Sequence, residues 1–412
     1  MTAGSRGDVA PYTGLGQALA RAGHRVTLVT HGSFEPLVAG SLLRFHPLPV
    51  DPRAESQSAR GLALHRSRTG VGKLIRLAAL ARTLMGRMTD DLVAAARDSD
   101  ILLLSSSLGP LGRTIAEGLR LPSLGVYLQP LAPTREFAPS VLGAKSWGAL
   151  GNRVAGHGLN VVMEQGLAAM VPSLRTRLGL PRGLARRTRE TPVLHGFSPL
   201  VVPRPRDWPA GHDVTGYWWP YDRDERLPAG IEDFLDAGEP PVYVGLGSAT
   251  VPDPEVLSAE IVRGLRRAGL RGVIQRGWGG LAADGDDMLT VGEVAHSALF
   301  PRMAAVVHHA GAGTTAAGLR AGVPAVPVPV QFDAGFWSRR LVALGVAPCA
   351  VPLRGLTADR LASALDRAVR DPGHRERARS LGARIRAEDG TAPVLAEVER
   401  LAEGGAQPLN SP

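Results

Sequence analysis

The chain of 412 residues has one cysteine, Cys349, so neither a disulfide framework nor a cysteine metal cluster is available to it. Lysine is nearly absent. Lys73 and Lys145 stand alone, and the remaining basic residues are arginines scattered along the chain. The formal net charge is +9, but aromatic residues make up only 5% and do not interleave with the basic ones as in a single-strand reader. Nucleic-acid binding is therefore set aside. No apolar run of about 18 residues exists to span a bilayer, and no apolar stretch follows a basic start as in a secretory leader. The expectation is a cytoplasmic protein without stable membrane insertion. No G-x-x-x-x-G-K-[ST] phosphate loop occurs anywhere.

What is present fits a globular α/β protein rich in turns: 44% hydrophobic residues, with 50 Gly and 33 Pro. The length exceeds what one core sustains, roughly 250–300 residues, so two domains are expected. The start is unusual. Met1 to Val9 reads as the end of a strand and its loop, Pro11 to Ala22 as a helix, and Arg25 to Thr30 as a strand. That is a βαβ unit without its opening strand, from a start site placed too late or from a true loss. A lost central strand would leave its neighbours' backbone groups unpaired. Residues 59–97 read as amphipathic helix. Strands at Ile101 to Leu104 and Ser123 to Leu128 flank a helix ending at Leu119. Between Phe197 and Pro228, prolines crowd with Trp208, Trp218 and Trp219, as in a packed linker. A second alternation of strands and helices then runs from Pro241 to Arg370, and a last helix spans Ala392 to Glu403 before a disordered tail. The expected division is 1–200, a linker 201–228, 229–388, and a returning C-terminal segment 389–412.

One stretch carries chemistry. Ala304 to His308 is a strand, His309-Ala310-Gly311-Ala312-Gly313 a turn, and Thr314, as cap, opens a helix to Ala321. Free N–H groups of a first helical turn, with the helix dipole, make an anion site, and His309 adds a donor. The turn is a poor dinucleotide fingerprint, since Pro329 and Val330 stand where a ribose-binding acid would be needed. A diphosphate is favoured over a nicotinamide cofactor.

The chain resembles the family-one, GT-B-fold glycosyltransferases, and most closely their sterol glucosyltransferase-like and antibiotic glycosyltransferase branch. The resemblance runs through GSRGDVAPY (Gly4 to Tyr12), AGHRVTLVTH (Ala22 to His31), LQPLAPTREF (Leu128 to Phe137), PRPRDWP (Pro203 to Pro209) and VTGYWWP (Val214 to Pro220). It continues through VYVGLGS (Val242 to Ser248) and the long block from Leu299 to Val330, ending at QFDAGFW (Gln331 to Trp337). It implies two Rossmann-like domains facing across a cleft, the acceptor mostly on the first and the donor on the second. The implied reaction is an inverting transfer of a hexose from a nucleotide sugar, a UDP-sugar above all, to a hydroxyl of a small natural product or sterol-like compound. No cofactor and no metal are implied.

Residue by residue, the resemblance places His309, Gly311, Gly313 and Thr314 at the donor diphosphate. Ser248 also matches a phosphate-lining residue, or is a plain helix N-cap. Asp333 with Ala334 matches the donor-sugar site, and Asp8 the catalytic base, or an N-cap of the helix near Pro11. Trp278 and Val294 are nucleotide-base contacts, or Trp278 is core. The family's usual Asp-Gln is Asp333-Ala334 here, which removes an amide from the sugar site and admits a deoxy, amino or acetamido sugar. Asp98 with Asp100, and Asp222 with Asp224, read as solvated turns, and His24 and His195 as structural. The alternatives are a GT-B epimerase or nucleotide-sugar hydrolase, and an inactive sugar-nucleotide-binding helper. The acceptor and the oligomeric state stay open.

Overall fold

The computed structural model describes residues 1–57, 86–143, 145–168, 171–181, 191–221, 226–249, 251, 253–330 and 332–405. Most of the segment read as amphipathic helix at 59–97, the pair Asp222 and Asp224, Gln331 and the tail 406–412 lie outside the described residues; 86–97 are helical.

The first half builds strands β1 (Thr27–His31), β2 (Arg44–Leu48), β3 (Leu102–Leu104), β4 (Ser123–Tyr127), β5 (Val193–His195) and β6 (His212–Val214). β1 pairs with β2, and β3 to β6 form a second ladder, all parallel. Met1–Ala3 lies between the two ladders. Thr2 N–H donates to the Val29 carbonyl at 3.0 Å, Ser105 N–H to the Met1 carbonyl at 3.1 Å, and the Met1 amino group to the Leu103 carbonyl at 2.8 Å. The expected gap beside β1 and β3 is thus bridged by these residues. Burial lowers the Met1 amine to about 5, since the charged form is costly there.

The second half builds β7 (Val242–Gly245), β8 (Gly272–Gln275), β9 (Met288–Val291), β10 (Ala305–His308) and β11 (Ala325–Pro327), in the order β11-β10-β7-β8-β9, all parallel. VYVG and AVVH are buried at every position because helices cover both faces of a parallel sheet. In one face Val244 and Val307 pack against Ile261 and Leu265 of the helix Pro254–Arg267 and Leu361 and Leu365 of the helix Ala358–Arg370. The spatial order is that of a doubly wound Rossmann sheet. Its direction reverses between β7 and β10, where such sheets open a crevice at the carboxyl ends of the strands. The first half repeats the arrangement, with the reversal between Met1–Ala3 and β3.

Three boundaries differ from the sequence reading. The first helix is Arg6–Arg21 and takes in Arg6 to Val9 of the stretch expected as strand end and loop, because Ser5 and Asp8 supply the start signal that apolar spacing lacks. The helix after β10 is Ala312–Ala321, N-capped by Gly311, so Thr314 is not its cap. The Pro- and Trp-rich segment carries β6, whose Val214 pairs with His195, so part of the expected linker belongs to the first sheet. Trp208 and Trp218 are 4% and 2% exposed, which fits packing rather than tethering. The final helix, Ala392–Gly405, returns to the first half: Val394 and Val398 pack with Val9, Tyr12, Leu15 and Trp218.

Candidate active site

The two reversal points face one cleft of about 2000 Å³, lined by both halves. On the second-half side, β10 ends at His308. Ala310 then takes a left-handed φ of 59°, its methyl packed in the core, and turns the chain into the helix at Gly311. The first intrahelical bond is Thr315 N–H to the Gly311 carbonyl at 2.9 Å, which leaves the N–H groups of Ala312, Gly313 and Thr314 outside the helix ladder at its dipole-positive end. Gly311, Ala312, Gly313 and Thr314 all line the cleft. Ala312 was not singled out in the sequence; only the true N-cap reveals it as a member of the triplet. A Cβ on Gly313 would meet nothing within 4 Å, so that side of the helix start is open.

His309 is wedged between two glycines. A Cβ on Gly311 would sit 2.3 Å from its Nε2, and one on Gly247, which has a φ of 56°, would sit 2.8 Å from its Cε1. Gly-x-Gly-like spacing here makes room for a ring as much as for a ligand. Burial lowers the His309 pKa to about 4, so the imidazole is neutral at pH 7 and serves as a hydrogen-bond partner, not a charge. Its Nδ1 is buried with no partner among the described residues. Ser248 follows β7 on the same rim. It is no helix cap: the N-cap of the next helix is Asp253. Trp278 lines the cleft half-buried and stands outside the apolar clusters, its backbone N–H donating to the Gly247 carbonyl at 2.9 Å. Val294 also lines the cleft while packing on the core below.

Asp333 Oδ2 accepts from Trp337 Nε1 at 2.7 Å. Burial first, and then the negative charge of Asp8, push its carboxyl up to about 6. Ala334 lines the cleft too, but its methyl is packed with Phe197, Phe336 and Trp337 at 3% exposure, so it offers a floor and no polar group.

On the first-half side, Asp8 is the third residue of the helix Arg6–Arg21, not an N-cap near Pro11. Its Oδ2 accepts from the backbone N–H and the hydroxyl of the true N-cap, Ser5, at 2.9 and 3.0 Å. Ser-x-x-Asp is the capping-box pattern, a signal legible in the sequence. Gly4 has to be glycine here: at a φ of 146°, a Cβ would lie 2.6 Å from Asp8 Oδ2. With Oδ2 engaged, Oδ1 is the freer oxygen, approached among the described residues only by Gln129 Nε2 at 3.4 Å. Burial raises the Asp8 pKa against the lowering effect of the Ser5 and Gln129 hydrogen bonds. Across the mouth, the Arg6 guanidinium pairs with Glu293.

The structure brings Asp8, Ser248, Trp278, Val294, His309, Gly311, Gly313, Thr314, Asp333 and Ala334 into one cleft. It leaves the others outside. Asp98 and Asp100 are exposed, and no cluster of three or more metal-ligating residues occurs among the described residues. His195 is core: its Nδ1 pairs with the Asp213 carbonyl at 2.9 Å and its ring stacks on Trp208 at 4.5 Å. No helix among the described residues is long and apolar enough to cross a membrane.

Residues 1–137 match the glycosyltransferase family 28 N-terminal domain, and residues 277–403 match the erythromycin biosynthesis protein CIII-like C-terminal domain. The chain is 35% identical to O-mycaminosyltylonolide 6-deoxyallosyltransferase of Streptomyces fradiae, over 98% of this chain and 97% of that one. It is 32% identical to a sterol 3-beta-glucosyltransferase of Arabidopsis thaliana, over 95% of this chain and 63% of the relative. A sterol 3-beta-glucosyltransferase of Yarrowia lipolytica is 30% identical over 97% of this chain but only 28% of the relative, so the chain spans a minor part of the fungal relative's length and less than two thirds of the plant one's. Among solved structures, the calicheamicin glycosyltransferase CalG4 superposes with a TM-score of 0.70 at 18% identity, each chain 98% covered. The glycosyltransferase VinC gives 0.67 at 22% identity, again with 98% of each chain covered. These likenesses give the fold, GT-B. With its two matched domain models and its full-length relative, the chain belongs to the GT-B glycosyltransferases, in the branch that holds the sterol glucosyltransferases and the antibiotic glycosyltransferases.

Proposed function

We propose that the chain is a metal-independent, inverting hexosyltransferase that uses a uridine or thymidine diphosphate sugar and a hydroxyl of a small, largely apolar acceptor. The observation that carries this reading is the opposition of two built groups across one cleft: the free N–H triplet at Ala312–Thr314, and the half-buried carboxyl of Asp8. The acceptor is assigned to the first half, 1–200, and the donor to 229–388, with 201–228 joining them. The acceptor wall of the cleft includes Leu37, Met88, Leu128, Leu131 and Val141, which suits a multi-ring or macrocyclic alcohol.

The diphosphate lies on the helix start, where oriented N–H groups meet charge without reorganising. His309 and Ser248 donate to its oxygens. Asp8 Oδ1 takes the acceptor's hydroxyl proton as the oxygen attacks the anomeric carbon. The bond from that carbon to the phosphate oxygen breaks, and the diphosphate leaves with the electron pair. Asp333 takes hydroxyls of the sugar. The apolar floor at Ala334 suits a deoxygenated hexose. This agrees with the Streptomyces fradiae relative, whose name specifies a 6-deoxyhexose.

Asp8→Asn keeps the shape of the cap and removes the base. The expected outcome is a kcat lower by about 10²–10⁴, with the donor Kd within about twofold of the parent. Lost donor binding would make Asp8 a structural cap only. Release of nucleotide by the parent at full rate without any acceptor would turn the reading toward a hydrolase.

A further inference from the structure

At the cleft wall, three polar side chains form a relay around a buried phenol that the reading above does not use. Gln275 is the last residue of β8, beside β7 at the sheet's reversal point, and lines the cleft with Trp278, Val294 and His296. Tyr243, in β7, is 1% exposed. Its hydroxyl lies 2.6 Å from Gln275 Oε1 and 3.3 Å from His296 Nε2. The His296 ring stacks on Phe300 at 4.2 Å, and Tyr243 packs on the same ring at 4.8 Å. The chain makes room for this phenol: a Cβ on Gly245 would be 2.2 Å from the Tyr243 oxygen.

The relay has a direction. A phenol has one proton to give, and 2.6 Å is the length of an O–H···O bond, shorter than an amide N–H···O contact. Tyr243 therefore donates to Gln275 Oε1, and His296 Nε2–H donates to the phenol oxygen. Burial supports the neutral forms, raising Tyr243 above the usual phenol range and lowering His296 to about 3. With Oε1 engaged, the Gln275 amide has only its nitrogen to offer to the cleft it lines, and that nitrogen donates no hydrogen bond among the described residues. A polar network whose other members are satisfied holds its last member in one orientation.

We propose that Gln275 is a specificity residue for the nucleoside of the donor, presenting N–H donors to an oxygen acceptor of that nucleoside, with Tyr243 and His296 as the positioning residues that fix its amide. The inference rests on the donor-site reading above. In doubly wound sheets the end of the second strand meets the nucleoside, next to the phosphate site at the reversal point, and β8 holds that place here. A face with donors alone suits the 4-keto oxygen of uracil or thymine and rejects the 4-amino group of cytosine. It equally suits a ribose hydroxyl oxygen.

The test titrates UDP, TDP and CDP calorimetrically into the full-length protein and three variants, Gln275→Met, Gln275→Glu and Tyr243→Phe, each checked by thermal melting. The parent is expected to bind UDP and TDP about tenfold more tightly than CDP, the scale of one well-placed hydrogen bond. Gln275→Met should bring the three within about threefold, Tyr243→Phe should narrow the ratio part of the way, and Gln275→Glu should favour CDP. A preference for UDP over TDP that collapses in the same variants assigns the ribose hydroxyl as the acceptor atom, and likewise supports the proposal. Affinity ratios that stay at the parent's values in all three folded variants overturn it. No nucleotide binding by the parent would instead overturn the donor site itself.

Discussion

The charge of Asp8 adds to burial in pushing the Asp333 carboxyl up to about 6, and the hydrogen bond from Trp337 Nε1 offsets this only in part. A carboxyl that binds its proton more tightly folded than unfolded leaves the fold at full stability below the unfolded value, near 3.8, and weakens it as pH rises through about 6. Asp333→Asn keeps an acceptor for Trp337 and removes the charge. It should stabilise the protein at pH 8 by on the order of 1–2 kcal/mol, a value reduced for partial solvent screening. The gain should vanish by about pH 4, while sugar transfer falls. Melting curves of parent and variant across pH 4–8 check the sign; an equal offset at every pH would contradict it. The same residue scale explains what could be read in advance. Asp8, His309 and Asp333 stood in patterns whose chemistry is local. Gln275 did not, because its role depends on Tyr243 from the neighbouring strand, which no spacing in the chain announces.

At the scale of elements, the runs Pro241 to Leu246, Gly272 to Arg276, Met288 to Val291 and Ala304 to His308 each read as a strand, and β7, β8, β9 and β10 fall within a residue of these ends. Continuous apolar runs are what a parallel sheet covered on both faces demands. β5 and β6 have only three residues each, too few to establish a period, and β6 sits among prolines and tryptophans that read as linker. The helix after β10 begins two residues before the expected Thr314, because Gly311 caps it with extended dihedrals and without a side chain, so no Ser, Thr or Asp marks the place. That turn depends on fit. Gly311→Ala would put a methyl 2.3 Å from His309 Nε2 and drive the ring from between the two glycines. The expected outcome is a lower melting temperature together with loss of donor binding. A variant that melts and binds like the parent would show that the ring does not need this place.

For the whole molecule, the last helix joins the ends of the chain. Trp218 Nε1 donates to the Gly390 carbonyl at 2.8 Å, Ser198 Oγ donates to Glu388 at 2.7 Å, and Val394 and Val398 are 0% and 5% exposed against the first helix and Trp218. Fully burying a valine-sized side chain contributes about 1.5–3 kcal/mol. A chain ending at residue 388 therefore loses on the order of 3–6 kcal/mol of apolar packing. The first half should melt early, with the donor half less affected, as two transitions in calorimetry. A single transition at the parent's temperature would mean that the returning helix contributes nothing to the first half. Together with Arg6 and Glu293 at the mouth, this packing sets the Asp8 side of the cleft against the Ala312 helix start.

The account rests on that helix start holding a nucleoside diphosphate. Calorimetric titration of UDP and TDP into the parent and into Gly313→Ala tests it most directly, because a Cβ at Gly313 meets nothing within 4 Å beyond its own helix and so fills space that is open to the ligand. The account predicts binding by the parent, and at least a tenfold weaker Kd, about 1.4 kcal/mol, in a variant that melts like the parent. Equal affinity in the two proteins, or none in the parent, would contradict it.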